Sequence, residues 1–371
     1  MIKGLKVLDL SRVLAGPLCT MILGDMGADV LKIERPQGGD ETRGWGPPFG
    51  ADGESAYYLS INRNKLGVCL DLDVPADREV IDALLAQADV VVENFRPGVL
   101  VRRGLDPGSL RARYPSIVWC TIAGFVGEPD RPGYDFVIQA ESGWMSVTGE
   151  PEGAPMKHGV ALADVLAGKD AAIAILGALV ARAATGEGRM VTVSLEGSAE
   201  AALVNVAQNA LVSGLAPSRW GNAHANLVPY QLFDAADRPI VIAVGNDAQW
   251  VKCARALELE QLADDEELRT NAGRIACRSR VVKTMWARVR ERPAKEWRER
   301  LDAAGVPCGV VRSVLEVLES TGGSAITGMA PSVPGSIRRR PPRLGEHTEL
   351  IRRTGWKAFL SETPGTGISA A

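Results

Sequence analysis

The apolar positions of this chain fall into short, nearly continuous runs separated by longer amphipathic stretches. Leu5–Leu10 is one such run and Asp29–Glu34 a second; Leu66–Leu72, Asp89–Val92 and Ser116–Ile122 follow. Runs of this length bounded by turn residues predict strands buried on both faces. Between them the spacing lengthens to that of helices. Gly16-Pro17 opens a helix running to about Gly27, with proline suited to a first turn, and Arg78–Gln87 forms another. Strand and helix in alternation predict an α/β protein with a parallel, doubly wound sheet.

The longest apolar stretch, Leu166–Ala184, is built mostly from small residues. Gly186 and Gly188 end it, and Met190–Leu195 then alternates like a strand. The expected order is loop, long buried helix, glycine stop and strand. One carboxylate, Asp164, stands at or just before the start of that helix. Free backbone N–H groups and the helix dipole favour an ionised side chain there. On spacing alone Asp164 reads first as an N-cap.

After about Gly214 the pattern changes. Asn226–Phe233 and Arg238–Val244 are strand-like, and Gly245-Asn246-Asp247 forms a turn. Helical stretches follow at Asp247–Leu257, Arg274–Glu291 and Ala294–Ala304, and Cys308–Val311 returns as a short strand. This predicts a smaller α+β domain. From about Thr321 the chain is rich in Gly, Pro and Ser, and Pro341–Glu349 is expected to begin a last short helix. Arg35–Gly53 is a long Gly/Pro-rich loop, a feature that in compact domains points to function or disorder.

Composition narrows the function classes. With 371 residues, 46% of them hydrophobic, the chain can bury a large core in two domains or one large one. A net charge of -3 argues against a nucleic-acid surface. No charged segment followed by an apolar one opens the chain, so no secretory leader is expected. Lys169, Asp170 and Arg182 interrupt the one long apolar helix, so no membrane span is expected either. Cys19, Cys69, Cys120, Cys253, Cys277 and Cys308 form no CxxC pair; they read as reduced thiols of a cytoplasmic protein, without metal-ligand spacing.

Common catalytic signatures are missing. The first strand-helix turn offers only Gly16 in place of GxGxxG, and GxSxG, Walker A and HExxH do not occur. His158, His224 and His347 leave few candidates for a histidine-based triad. Arg338-Arg339-Arg340 reads as a solvated basic loop. In a doubly wound sheet ligands bind at the carboxyl ends of the strands, which favours Ser11–Gly16, Arg35 and Asn94-Phe95 as pocket residues.

An ordered set of segments carries a sharper reading. Val7–Gly16 (VLDLSRVLAG), Gly27–Arg35 (GADVLKIER), Asn62–Leu72 (NRNKLGVCLDL), Ala88–Gly98 (ADVVVENFRPG), Gly133–Asp135 (GYD), Asp164 before its helix, and Leu344–Thr348 (LGEHT) together resemble the class III CoA-transferases. The resemblance spans nearly the whole chain. It implies a large Rossmann-like CoA-binding domain made of residues 1–200 and 325–371, with a smaller α+β domain at 225–312 inserted between linkers at 201–224 and 313–324. It also implies a homodimer of two interlocked chains, with no nucleic-acid or membrane partner.

The implied chemistry is transfer of coenzyme A from an acyl-CoA thioester to a carboxylic acid, without a metal, through an aspartyl-CoA intermediate on Asp164. Arg35 and Arg102 match arginines near the adenosine phosphates, and Leu70 a strand leucine whose backbone lies near the adenine. Asn94 and Phe95 match a pair at the mouth of the CoA site. Tyr134 and Asp135 match residues lining the acyl pocket. Gly245 and Asn246 correspond to a shortened glycine-rich lid. Leu14 stands where formyl-CoA transferase carries a glutamine, and Pro132 where it carries a lysine, which argues against formate and oxalate. With His224–Tyr230 (HANLVPY), the missing glutamine leans toward a succinyl-CoA-type donor and a dicarboxylate or hydroxy-acid acceptor. Two rivals stand beside this reading. An acyl-CoA racemase of the same superfamily needs an acid/base pair, but the histidine expected before the aspartate is Tyr134 here. The other rival is a non-catalytic CoA-binding protein.

Overall fold

Val7, Val30, Val90, Val92, Val118 and Cys120 lie in one buried cluster, and their strand neighbours Leu8, Leu31, Val91 and Trp119 lie in another. Alternate residues of a strand point to opposite faces. Both faces of these strands are therefore covered, as their continuous apolar runs require. The strands are β1 (Lys6–Asp9), β2 (Asp29–Glu34), β3 (Lys65–Cys69), β4 (Val90–Glu93), β5 (Val118–Ala123) and β6 (Met190–Ser194). They form one parallel sheet in the order β3-β2-β1-β4-β5-β6. That order reverses between β1 and β4, the switch point at which doubly wound sheets open a crevice.

The computed structural model describes residues 1–128 and 130–361. The chain divides into two compact units. Among the described residues the first comprises Met1–Trp144, His158–Ser213 and the segment 321–361; the second comprises Met145–Lys157 and Gly214–Ser320. Part of the C-terminal segment assigned by resemblance to the large domain lies outside the described residues.

Two helices matter most in the first unit. Helix α1 (Ala15–Asp25) follows β1 directly and buries Cys19, Ile22 and Leu23. Asp135–Glu141 forms a short helix, α2, with Tyr134 at its N-cap. Helix α3 (Leu162–Thr185) is the long small-residue helix; Ala163, Ala167, Ala171, Ile175 and Ala178 enter the core that α1 shares. The small side chains let the two helices lie close. A Cβ on Gly168 would come within 2.6 Å of the Ala15 carbonyl oxygen. Gly186 takes a left-handed conformation, φ 75°, and stops α3 as expected.

Three sequence expectations need correction. Pro341–Glu349 enters its short helix only at Thr348, and the residues before that are not helical. The segment before it lies against the edge of β3, where Gly67 N–H donates to His347 Nδ1, Cys69 N–H to Thr348 Oγ1, and His347 N–H to the Gly67 carbonyl. The stretch Arg274–Glu291 is two helices, Asn271–Ala276 and Arg278–Val289, meeting at Cys277. Finally, the strand expected over Asn226–Phe233 begins only at Tyr230, after Pro229.

The second unit holds an antiparallel sheet of β7 (Tyr230–Asp234), β8 (Pro239–Ala243) and β9 (Cys308–Val310) in sequence order. Phe233, Ile240 and Ile242 pack with Trp250, Met285 and Trp297 from its helices into a core of its own. Among the described residues no helix is long and apolar enough to cross a membrane, no cysteine is in a disulfide, and no group of His, Cys, Asp or Glu is arranged to hold a metal ion.

Candidate active site

In a parallel sheet each crossover helix starts at the carboxyl edge of the strand before it. The N-termini of α1 and α3 therefore belong to the same edge, and their close packing sets them side by side. Asp164 is in the first turn of α3, two residues past its first residue rather than at its N-cap, which is Ala161. Its carboxyl is pushed up to about 7, first by burial and then by the nearby charge of Asp135, with the backbone N–H of Ala15 opposing the rise.

Asp135 is held rather than loose. One of its oxygens accepts from the Ala163 N–H at 2.8 Å, satisfying an otherwise free donor at the start of α3, and the other accepts from Gln139 Nε2 at 2.6 Å. Gln139, fully buried, in turn accepts from the His158 N–H. Tyr57 belongs to the same place. Its phenol is pushed up to about 12 by burial and then by Asp164, Asp135 and Asp40. Its ring meets Trp45 edge-on at 5.1 Å. Trp45 comes from the long loop Arg35–Gly53, so that loop packs against Tyr57. Neither aromatic residue was legible as a site residue in the sequence.

Beneath the edge lies a layer of buried charge. Asp9, Lys32 and Lys65 are essentially without exposure. Lys65 Nζ meets Asp9 at 2.9 Å and also donates to the Pro17 carbonyl and Asn62 Oδ1. Lys32 Nζ donates to the Ser11 carbonyl at 2.8 Å and pairs with Asp40 at 3.1 Å. Asp9 also accepts from the Ser11 N–H and hydroxyl and from Thr20. Burial alone would raise the Asp9 carboxyl, but the two lysines and these bonds outweigh it and hold it at about 2. Burial brings Lys65 down to about 8 against the pull of Asp9. Isolated charges here would be prohibitive; paired and bonded, they persist. One signal was present in the sequence: Lys32 stands between apolar Leu31 and Ile33 in DVLKIE.

The residues singled out from the sequence distribute as follows. Leu14 caps α1 from the N-terminal side. Arg35, exposed, follows β2 and donates from Nε to the Gly39 carbonyl. Leu70 follows β3 and is buried, its N–H bonded to the Glu34 carbonyl. Asn94 and Phe95 follow β4. Asn94 accepts from the Arg12 N–H at 2.9 Å and donates to the Arg12 carbonyl at 2.7 Å, while the Arg12 guanidinium lies 5.3 Å from the Phe95 ring centroid. These five sit at the ends of four neighbouring strands. Arg102 is exposed at the end of the short helix Val99–Arg102, and Tyr134 is exposed beside Asp135. Gly245 and Asn246 belong to the second unit. There Asn246 caps the helix Asp247–Ala256 through Gln249 N–H, and Gly245 N–H donates to Gln249 Oε1.

Comparison with known proteins shows the family of the chain. The sequence profile of CoA-transferase family III matches residues 2–348. The chain belongs to that family. Succinate–glutarate CoA-transferase of Agrobacterium fabrum is 39% identical to it, over 94% of each chain. Human succinyl-CoA:glutarate CoA-transferase is 38% identical, over 94% of this chain and 85% of that one. Among solved structures, a CAIB/BAIF family protein from Brucella suis superposes with a TM-score of 0.83 at 38% identity, covering 95% of this chain and 98% of that one. The protein is a class III CoA-transferase, and CoA thioesters and carboxylates are the substrates that fit it.

Proposed function

We propose that this CoA-transferase uses Asp164 as its nucleophile and exchanges CoA between a succinyl-CoA-type donor and a dicarboxylate acceptor. The observation that carries the reading is Asp164 itself: a carboxylate in the first turn of α3, partly buried, made unusually basic by burial and Asp135, and met by the Ala15 N–H. A basic, partly desolvated carboxylate is a better nucleophile than a solvated one. The dicarboxylate class is supported by the two succinate- or succinyl-CoA-named relatives.

In this mechanism an Asp164 oxygen attacks the thioester carbonyl and the carbon–sulfur bond breaks, giving a mixed anhydride and CoA thiolate. The thiolate attacks the Asp164 side-chain carbonyl carbon, forming an aspartyl thioester and releasing the donor acid. An acceptor carboxylate attacks that thioester, again expelling thiolate and giving a second anhydride. The thiolate then attacks the acceptor's carbonyl, releasing the new acyl-CoA and free Asp164. N–H groups at the start of α1 stabilise the oxyanions formed on the way. Arg35 and Arg102 take the CoA phosphates, where charge-assisted bonds favour arginine; Leu70, Asn94 and Phe95 take the adenosine end. Leu14, Tyr134 and Asp135 line the acyl pocket, and Gly245-Asn246 serves as the shortened lid. The large-domain, linker and small-domain boundaries follow the family assignment given above, the working form is an interlocked homodimer, and the site of action is the cytoplasm.

The test is a covalent adduct. Incubation with succinyl-CoA followed by hydroxylamine or borohydride is expected to modify Asp164 alone, read by peptide mass. Asp164→Ala is expected to abolish transfer while changing CoA binding by no more than about 1 kcal/mol. An adduct on Asp135 or Asp170, or transfer retained by Asp164→Ala, would overturn the assignment. Exchange of the α-proton with deuterated solvent and no adduct would favour a racemase.

A further inference from the structure

The turn between β1 and α1 is tied at every step. Ser11 N–H and hydroxyl go to Asp9, and the Ser11 carbonyl accepts from Lys32. Arg12 exchanges both backbone bonds with the Asn94 side chain. Val13 N–H donates to Asp40 Oδ1 at 3.3 Å, and Asp40 is in turn paired with Lys32. Val13 itself has φ 69°. Left-handed backbone is a steric outlier for a β-branched residue, which glycine or asparagine adopts far more readily. Such strain persists only where the surroundings over-determine it. The next two residues are Leu14 and Ala15, and the Ala15 N–H tempers the rise of the Asp164 carboxyl. On the other side α3 packs against the same residue: a Cβ on Gly168 would lie 2.6 Å from the Ala15 carbonyl oxygen.

We propose that the buried Lys32–Asp40 pair is a positioning device for the transferase site, holding Val13 left-handed so that the first N–H groups of α1 stay aimed at Asp164. The inference rests on the proposed role of Asp164. Lys32 and Asp40 touch no reacting atom; they act through the turn. Cutting their tether should let Val13 relax toward ordinary φ, turning the Ala15 N–H away. The carboxylate then loses a donor, and the oxyanions lose theirs. A residue content with left-handed φ has no reason to relax, so replacing Val13 with asparagine should restore the aim even with the tether cut.

The experiment compares Lys32→Met/Asp40→Leu with the same double variant carrying Val13→Asn. Removing both charges leaves no unpaired buried ion, which favours folding; Lys32→Gln/Asp40→Leu, which keeps a donor for the Ser11 carbonyl, is the second variant should the first fail to fold. We expect the tether variants to lose about 10- to 100-fold in kcat with KM for the acyl-CoA within about twofold, as for the loss of an oxyanion donor. Adding Val13→Asn should recover most of that loss. A merely structural pair would lower Tm without changing the kcat of folded enzyme, and Val13→Asn would rescue nothing; either outcome overturns the proposal. A second readout does not depend on turnover. The Asp164 carboxyl, assigned in carbon NMR by its loss in Asp164→Asn, faces Asp135, Tyr57 and the Ala15 N–H. It should titrate higher in the tether variants than in wild type and return with Val13→Asn. If wild-type protein formed no adduct, the nucleophile assignment would fall, while this titration would still decide whether Lys32 and Asp40 aim the turn; an unmoved titration would overturn the positioning role.

Discussion

Asp164 holds its proton more tightly in the folded protein than an ordinary aspartate does, about 7 against 3.8. Between roughly pH 4 and 7 the folded chain therefore binds more protons than the unfolded chain at this group, so its contribution to stability falls as pH rises and its cost is complete above about pH 7. The shift sets an upper limit of ~4 kcal/mol on that cost, and partial exposure brings it to about 1–3 kcal/mol. Asp164→Asn should thus stabilise the protein by that amount at pH 8 and hardly at all at pH 4, as read by thermal melts at the two values. A variant less stable than wild type at pH 8, or a gain independent of pH, would sink this account. The same linkage sets activity: with the ionised carboxylate as nucleophile, turnover rises with pH up to about the same point.

Among elements, the closeness of α1 and α3 is decisive, and Gly168 is where it can be tested. An alanine there puts a methyl 2.6 Å from the Ala15 carbonyl oxygen, a backbone atom that cannot swing aside. Gly168→Ala should cost about 1–3 kcal/mol by overpacking and lower kcat by parting the two helix starts, checked by denaturant melts and single-turnover transfer. Unchanged stability would mean the helices slide apart freely.

The sheet strands were legible because burial on both faces writes continuous apolar runs; DVLKIE ends where β2 ends. Asp164 at the start of α3 was legible from one carboxylate ahead of a long apolar run. What the sequence hid was long-range. PPRLGEHTE lies along β3 because His347 and Thr348 find partners nearly 280 residues away, and no local pattern reports that. Asp9, Lys32, Lys65 and Asp40 meet only in the fold, and Tyr57 enters the site through the course of a loop that local turn rules do not determine.

At the scale of the molecule, much apolar surface is left outside. Helix α4 (Val204–Ser213) buries none of its residues, and Val204, Leu211 and Val212 are exposed, as are Ile173 and Val180 on α3. Apolar faces of this kind mark association surfaces, which is consistent with the proposed homodimer. Wild-type protein should sediment as a dimer at low micromolar concentration, and Leu211→Glu/Val212→Glu should shift it toward monomer or soluble aggregate. An active wild-type monomer, independent of concentration, would remove the dimer from the account.

The tail that guards β3 also sets a timetable. Asn64, next to β3, donates to the Ser336 carbonyl across 272 residues of chain, and the edge amides of Gly67 and Cys69 wait still longer for His347 and Thr348. A ribosome adding about 5–20 residues per second needs ~15–55 s to supply that partner. For that interval a finished strand has an unfinished border, open to any extended segment nearby. Yield in a cell therefore depends on how fast the chain is translated and on what escorts it meanwhile, quantities that no contact in the finished protein records.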